Sequence, residues 1–202
     1  MIPAAICTAI IDAGRRLDAL GLVPATAGNF SIRLDATHAA VTASGCHKGF
    51  LTPDDILLVD MEGRVIGSDR RSSAETGLHL GIYRRFPEAG AVLHGHSLAN
   101  TVLSRAAGAA LRLEGYELLK IFPGLPTHDA AIDLPVVAND QDIPRLQSVL
   151  DARWDAMGTV PPGYLIRGHG AYVWAADMPT ARARLEGLEF MLSCELLERR
   201  MR

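Results

Sequence analysis

Two histidines separated by one glycine close a short apolar run, Ala91-Val92-Leu93-His94-Gly95-His96-Ser97. Side chains on a strand alternate faces, so His94 and His96 project the same way, ~7 Å apart at the backbone. The glycine between them strips bulk from the opposite face and lets another segment come close. A third histidine stands between glycines in Ile166-Arg167-Gly168-His169-Gly170. Three neutral imidazoles with a fourth position open form a known ligand set for catalytic zinc. His94, His96 and His169 are therefore read as metal ligands, and the chemistry they imply is Lewis-acid polarisation of a substrate oxygen.

Glycines and small polar residues gather at three further points: Gly28-Asn29, Thr42-Ala43-Ser44-Gly45 and Ser72-Ser73. Hydroxyls, free backbone N–H groups and a helix N-terminus are what a phosphate monoester needs, although each stretch taken alone is an ordinary turn. Two carboxylates stand out. Ser72-Ser73-Ala74-Glu75 fits the S-x-x-E capping box, which makes Glu75 a helix-capping group. A competing reading pairs Glu75 with His79, four residues on, as metal ligands on one helix face, and it ranks below the three histidines because such pairs are common surface contacts. Glu117 lies between Tyr116 and Leu118-Leu119. That apolar setting would raise its pKa toward a value useful for proton transfer; the alternative is a solvated acid paired with Lys120. His38, His47 and His128 fall in loop-like, exposed contexts.

The elements that must position these groups follow from periodicity. Ile6, Ile10, Ala13, Leu17 and Leu20 repeat at helical spacing up to Gly21. Phe30, Ile32 and Leu34 alternate as a strand, and further strands are expected at Ala39–Thr42, Ile56–Asp60, Arg64–Ile66, Ala91–His96, Ala110–Leu113, Leu134–Val137, Tyr164–Ile166 and Ala171–Trp174. Helices are expected after Arg70-Arg71-Ser72-Ser73-Ala74-Glu75 through Arg85, from Leu98 to Ala107, Ile143 to Met157 and Thr180 to Arg202, with Gly115–Lys120 a brief turn or helix. Strands and helices mix without strict βαβ alternation, which predicts a mixed sheet with helices on both faces.

Composition bounds the function. The 202 residues are 49% hydrophobic with mean hydropathy +0.14, enough for a substantial core, and no seam divides residues 1–202 into two domains. A net charge of −3 and a pI near 6.1 supply no field for nucleic acid or acidic membranes. Cys7, Cys46 and Cys194 are odd in number and share no metal-type spacing, so they read as reduced thiols of a cytoplasmic protein. No leader pattern and no bilayer-length apolar run is present. Of the 20 basic residues only Lys48 and Lys120 are lysines.

Taken together, Gly28-Asn29-Phe30-Ser31, Thr42-Ala43-Ser44-Gly45, Ser72-Ser73-Ala74-Glu75, Leu93-His94-Gly95-His96-Ser97 and Gly168-His169-Gly170-Ala171-Tyr172-Val173-Trp174 resemble the class II, zinc-dependent aldolase and adducin-head family. The motifs occur in family order across most of the chain. Within the family the likeness is greatest to the branch that dehydrates 5-methylthioribulose 1-phosphate in methionine salvage. It is carried by Ser44-Gly45-Cys46-His47-Lys48-Gly49, Leu51-Thr52-Pro53-Asp54-Asp55, Ala74-Glu75-Thr76 and Tyr116-Glu117-Leu118-Leu119-Lys120. The resemblance implies a three-layer α/β/α sandwich with a mixed, mainly antiparallel sheet, and a homotetramer with sites near subunit contacts. It implies one Zn2+ per subunit on His94, His96 and His169, with Glu117 as acid/base. Asn29, Ser44, Gly45, Lys48, Ser72 and Ser73 would surround the phosphate of a small sugar-phosphate substrate. Glu75 matches the carboxylate that sugar-phosphate aldolases use for proton transfer, so two candidates stand, and a sugar-phosphate aldolase or epimerase is the alternative activity. A metal-free scaffold like the adducin head is the reading from another class.

Overall fold

The computed structural model of the protein describes residues 1–201. Ile10, Ala13, Gly14 and Leu17 share the buried face of α1 (Ala4–Ala19). The chain leaves α1 through Gly21 at φ +70°, a left-handed conformation that glycine adopts without a Cβ clash. There follow β1 (Asn29–Arg33), β2 (His38–Thr42), β3 (Ile56–Asp60), β4 (Val65–Ile66), α2 (Thr76–Arg85), β5 (Ala91–Gly95) and α3 (Leu98–Ala106). The second half holds β6 (Ala110–Glu114), a short 3-10 turn (Glu117–Ile121), β7 (Ala131–Val137), α4 (Ile143–Asp155), β8 (Gly163–Ile166), β9 (Gly170–Ala175) and α5 (Met178–Met201). The expected end of the last helix at Arg202 lies outside the described residues.

The strands form one sheet in the order β4-β3-β2-β1-β5-β9-β8-β7-β6. Every pairing is antiparallel except β7 with β8, which α4 connects. Alternation along the central strands sorts the core into two layers. Ala91, Leu93, Ala171 and Val173 pack under α1, α3 and α5, while Val92, Tyr172 and Trp174 pack under α2 and α4. The expected three-layer sandwich with a mixed sheet is the fold observed. Trp154 of α4 anchors the second layer, its ring 5.1 Å from Phe86, 5.9 Å from Trp174 and 6.0 Å from Tyr164. Among the described residues no helix is long and apolar enough to cross a membrane.

One boundary differs in a way that matters. The capping box would put Ser72 at the helix N-cap, whereas α2 begins at Thr76, with Glu75 at its N-cap and no side-chain cap bond. Residues 72 and 73 instead lie beside β2: Ala43 bridges Ser72, and the Ser73 N–H donates to the Thr42 carbonyl. That pairing pulls the segment out of helical geometry, so the capping box does not form. Likewise His38 is no loop residue but opens β2, paired with Asp60.

The β5–β9 register sets His94 opposite Tyr172 and Gly95 opposite Ala171. A Cβ at Gly170 would lie 2.5 Å from the Gly95 carbonyl oxygen and 2.5 Å from His94 Cε1. Gly170→Ala is therefore expected to lose about 1–3 kcal/mol in urea unfolding, the usual cost of overpacking against backbone.

Candidate metal centre and its cavity

His94, one residue from the end of β5, is fully buried, and its Nδ1–H donates to the Ala171 carbonyl at 3.0 Å. That bond leaves the Nε2 lone pair free to bind an ion. His96 stands just beyond the strand, where its N–H donates to the Leu22 carbonyl. Gly95 admits the close approach expected of it: a Cβ there would sit 3.2 Å from both the Leu22 carbonyl and Leu185 of α5. His169 occupies the turn between β8 and β9, entered through Gly168 at φ +67°, and its Nδ1–H donates to Asn139 Oδ1 at 3.1 Å. Because β5 and β9 are antiparallel neighbours, the end of one meets the start of the other, and the three rings converge.

Their ligand atoms all lie within 4.8 Å of one another, with the Nε2 atoms of His94 and His96 only 2.8 Å apart. Two ring nitrogens face each other so closely only with a proton or a cation between them. Three nitrogens bound tetrahedrally at ~2.1 Å would be separated by about 3.4 Å, so the residues present fit a single metal ion. Burial drives the His94 pKa well below its ordinary value, with the neighbouring His96 and His169 adding to the effect. Burial, followed by His169, takes His96 down to about 4. Both rings are neutral near pH 7 and have no proton to surrender before binding a cation.

Glu75 completes the centre. Its Oε2 lies 3.2 Å from His94 Nε2 and its Oε1 3.4 Å from His169 Nε2. The carboxylate thus faces the position the histidines leave open. The helix-capping role expected for it is replaced by this one, since α2 starts only at Thr76 and releases the side chain. His79 is not a ligand: it is buried, with Nδ1 on Ser31 Oγ and Nε2 on Asn29 Oδ1. A cavity of about 770 Å³, the size of a small-metabolite site, opens over the centre, walled by Glu75, His96, His169, Leu98, Ile143 and the Asn139–Gln141 loop.

Glu117 is elsewhere. It lies on the exposed side of its short turn, ion-paired with Lys120 and 3.8 Å from His128, and it does not line this cavity. Its pKa is lowered, chiefly by Lys120, which corrects the expectation of an apolar setting that raises it. Only Leu119 of the turn is buried, so the flanking apolar residues do not enclose the acid. The phosphate candidates divide. The Ala43–Ser72 bridge and the Ser44 N–H bond to the Arg71 carbonyl set Ser44 and Gly45 beside Ser72 and Ser73. Asn29 is nearly buried and its amide is committed to His79 and Glu75. Lys48 is 2% exposed and donates to the carbonyls of Thr26 and Cys46, tying the loops before β1 and after β2 together.

Asn139, which holds His169 and lines the cavity, is the neighbour of the centre that sequence reasoning missed. Its only signal is a polar loop after a strand, and that becomes informative once β7 is known to pair in parallel with β8, which leads into the turn carrying His169.

A model of the class II Aldolase and Adducin N-terminal domain matches residues 8–196. The chain belongs to this family. Class II aldolase relatives named methylthioribulose-1-phosphate dehydratase include one from Granulibacter bethesdensis, 54% identical over 199 residues, covering 96% of this chain and 92% of that one. Another from Gluconacetobacter diazotrophicus is 54% identical over 193 residues, covering 95% and 93%. Among solved structures, an L-fuculose 1-phosphate aldolase shares the class II aldolase fold with a TM-score of 0.83 at 20% identity, covering 100% of this chain and 89% of that one. The L-fuculose-1-phosphate aldolase of Thermus thermophilus gives a TM-score of 0.77 at 28% identity, covering 97% and 96%.

Two outcomes are expected. Asn139→Leu removes the acceptor that orients His169, so metal affinity should fall 10–100-fold in a chelator competition. Burial also depresses His79, to about 4 from 6.5. A histidine with a lower pKa folded than unfolded binds fewer protons folded, so its stability contribution is complete above about pH 6.5 and is lost as pH falls toward 4. At about 1.4 kcal/mol per unit, His79 alone costs about 3 kcal/mol across that window, and urea unfolding of metal-free protein at stepped pH should record the decline.

Proposed function

We propose that this chain is a zinc-dependent hydro-lyase that converts 5-methylthioribulose 1-phosphate to 5-methylthio-2,3-dioxopentyl phosphate. The observation that carries the reading is the convergence of His94, His96 and His169 with Glu75 under one cavity, in a chain more than half identical to relatives bearing the dehydratase name. Substrate and product fix the bond changes. The C3 proton is removed, the C4 hydroxyl leaves as water, and the resulting enol ketonises to the second carbonyl. Held by the three histidines, zinc would supply Lewis acidity that stabilises the enediolate formed at C2 and C3.

The chain's residues do the rest. Glu75 lies beside His94 and His169 and lines the cavity, and is assigned to hold or move the C3 proton. Ser44, Ser72 and Ser73, brought beside one another by the Ala43–Ser72 bridge, offer hydroxyls and Gly45 its N–H for the phosphate, while Lys48 and Asn29 hold the surrounding loops. Anchoring the phosphate away from C3 and C4 decides which carbon meets the base. Glu117, exposed and outside its own chain's cavity, is assigned as the acid/base that a neighbouring copy in a homotetramer lends to this site, assisting departure of the C4 hydroxyl. The alternative aldolase reaction would use the same centre and break C3–C4 instead.

Zinc-loaded protein incubated with 5-methylthioribulose 1-phosphate should release the dicarbonyl product, and fuculose or ribulose phosphates should not be cleaved. Aldehyde release from the latter would install the aldolase in its place. Glu117→Gln is expected to lower kcat ~10²–10⁴-fold with metal content intact. Mixing it with His96→Ala chains should restore part of the activity, because some sites then combine an intact centre with a neighbour's carboxylate.

A further inference from the structure

A line of buried polar side chains runs from the core to Glu75. Glu75, His79 and Tyr83 recur every four residues on one face of the α2 segment, and Asn29 and Ser31 share one face of β1 beside them. Tyr83 OH lies 2.8 Å from Ser31 Oγ, which lies 2.7 Å from His79 Nδ1. His79 Nε2 lies 2.5 Å from Asn29 Oδ1, and Asn29 Nδ2 donates to Glu75 Oε2 at 2.7 Å. Ser31, His79 and Tyr83 are each at most 2% exposed.

An ionised carboxylate only accepts hydrogen bonds, so Asn29 must present its amide nitrogen to Glu75 and its oxygen to His79. His79 must then carry its proton on Nε2 and accept at Nδ1 from Ser31, which in turn accepts from Tyr83. Every donor points toward Glu75, and one neutral tautomer of His79 satisfies the whole line. The buried ring, with a pKa of about 4, stays in that form near neutral pH. Reversing the Asn29 amide would set its oxygen against the carboxylate and leave the histidine N–H facing an N–H.

We infer that His79 is a positioning residue for Glu75: by fixing the Asn29 amide it holds the carboxylate over the three-histidine centre in the orientation that proton transfer needs. The inference rests on the metal-centre reading above. It assigns His79 no contact with substrate or metal, so its loss should act on kcat more than on KM.

The test compares His79→Gln, whose amide nitrogen can take the place of Nε2, with His79→Asn, whose shorter amide reaches toward Ser31 but not Asn29. Both are loaded with Co2+, whose visible absorption reports the groups around the ion, and both are checked by thermal melting. His79→Asn should lower kcat about 10–100-fold with KM within about twofold, the range seen when groups orienting a metal site are removed. It should also alter the Co2+ spectrum, while His79→Gln recovers most of kcat and the parent spectrum. Folded, cobalt-loaded variants with equal kcat and equal spectra would overturn the inference. Should neither fold, Ser31→Ala interrogates the same line one step back, and an unchanged kcat and spectrum there would overturn it too. Failure of the unsubstituted chain to bind Co2+ would instead sink the metal-centre reading, and the inference with it.

Discussion

The antiparallel pairing of β5 with β9 is the constraint on which the site depends. It joins segments almost eighty residues apart and puts the end of one strand against the start of the other, so that His94 and His96 meet His169. A slip of one residue would turn His94 to the opposite face of the sheet. The register is held from both layers: Leu93 and Val173 lie in the core under α1, α3 and α5, and His94 stacks at 4.1 Å on Tyr172, which stacks at 4.8 Å on Tyr164. The site therefore takes its register from the core, and the Asn139 loop adds only the orientation of His169.

Beyond the register, the corner between β5 and α3 is fixed by a buried acid. Ser97 Oγ donates to Glu189 of α5, Asn100 Nδ2 donates to the same carboxylate at 2.7 Å, and the Ser97 hydroxyl also accepts the Asn100 N–H that begins α3. Burial raises the Glu189 pKa against the lowering effect of those bonds. Lys48 plays a comparable part on the other side, its ammonium bridging two carbonyls of separate loops. Here a compact cation suits the space better than a guanidinium. Both groups spend their polarity on placement.

What the sequence discloses follows the range of the interactions concerned. The histidines are legible because glycines flank them at strand ends, a pattern readable within seven residues. Periodicity also gives the helices and most strands. Glu75 reads as a cap because S-x-x-E is a local pattern, and only the pairing of residues 72 and 73 with β2 shows why the helix starts later. Glu117 has apolar neighbours in sequence that do not surround it in space. Asn139 depends on a parallel strand pairing across α4, and His79 on the meeting of one face of α2 with one face of β1. Each of these needs tertiary contact, which short-range spacing does not encode.

The two outermost strands carry a final consequence. β4 is only two residues long, and β6 at the far margin exposes Arg112 and Glu114, with Arg112 paired to both Glu114 and Asp133 of β7. Short or charged borders of this kind resist the addition of a further strand from another molecule. The sheet cannot readily be prolonged from one copy to the next, so any contact between copies is steered toward the helical flanks and loops, and the same borders guard the folded chain against fibrous stacking.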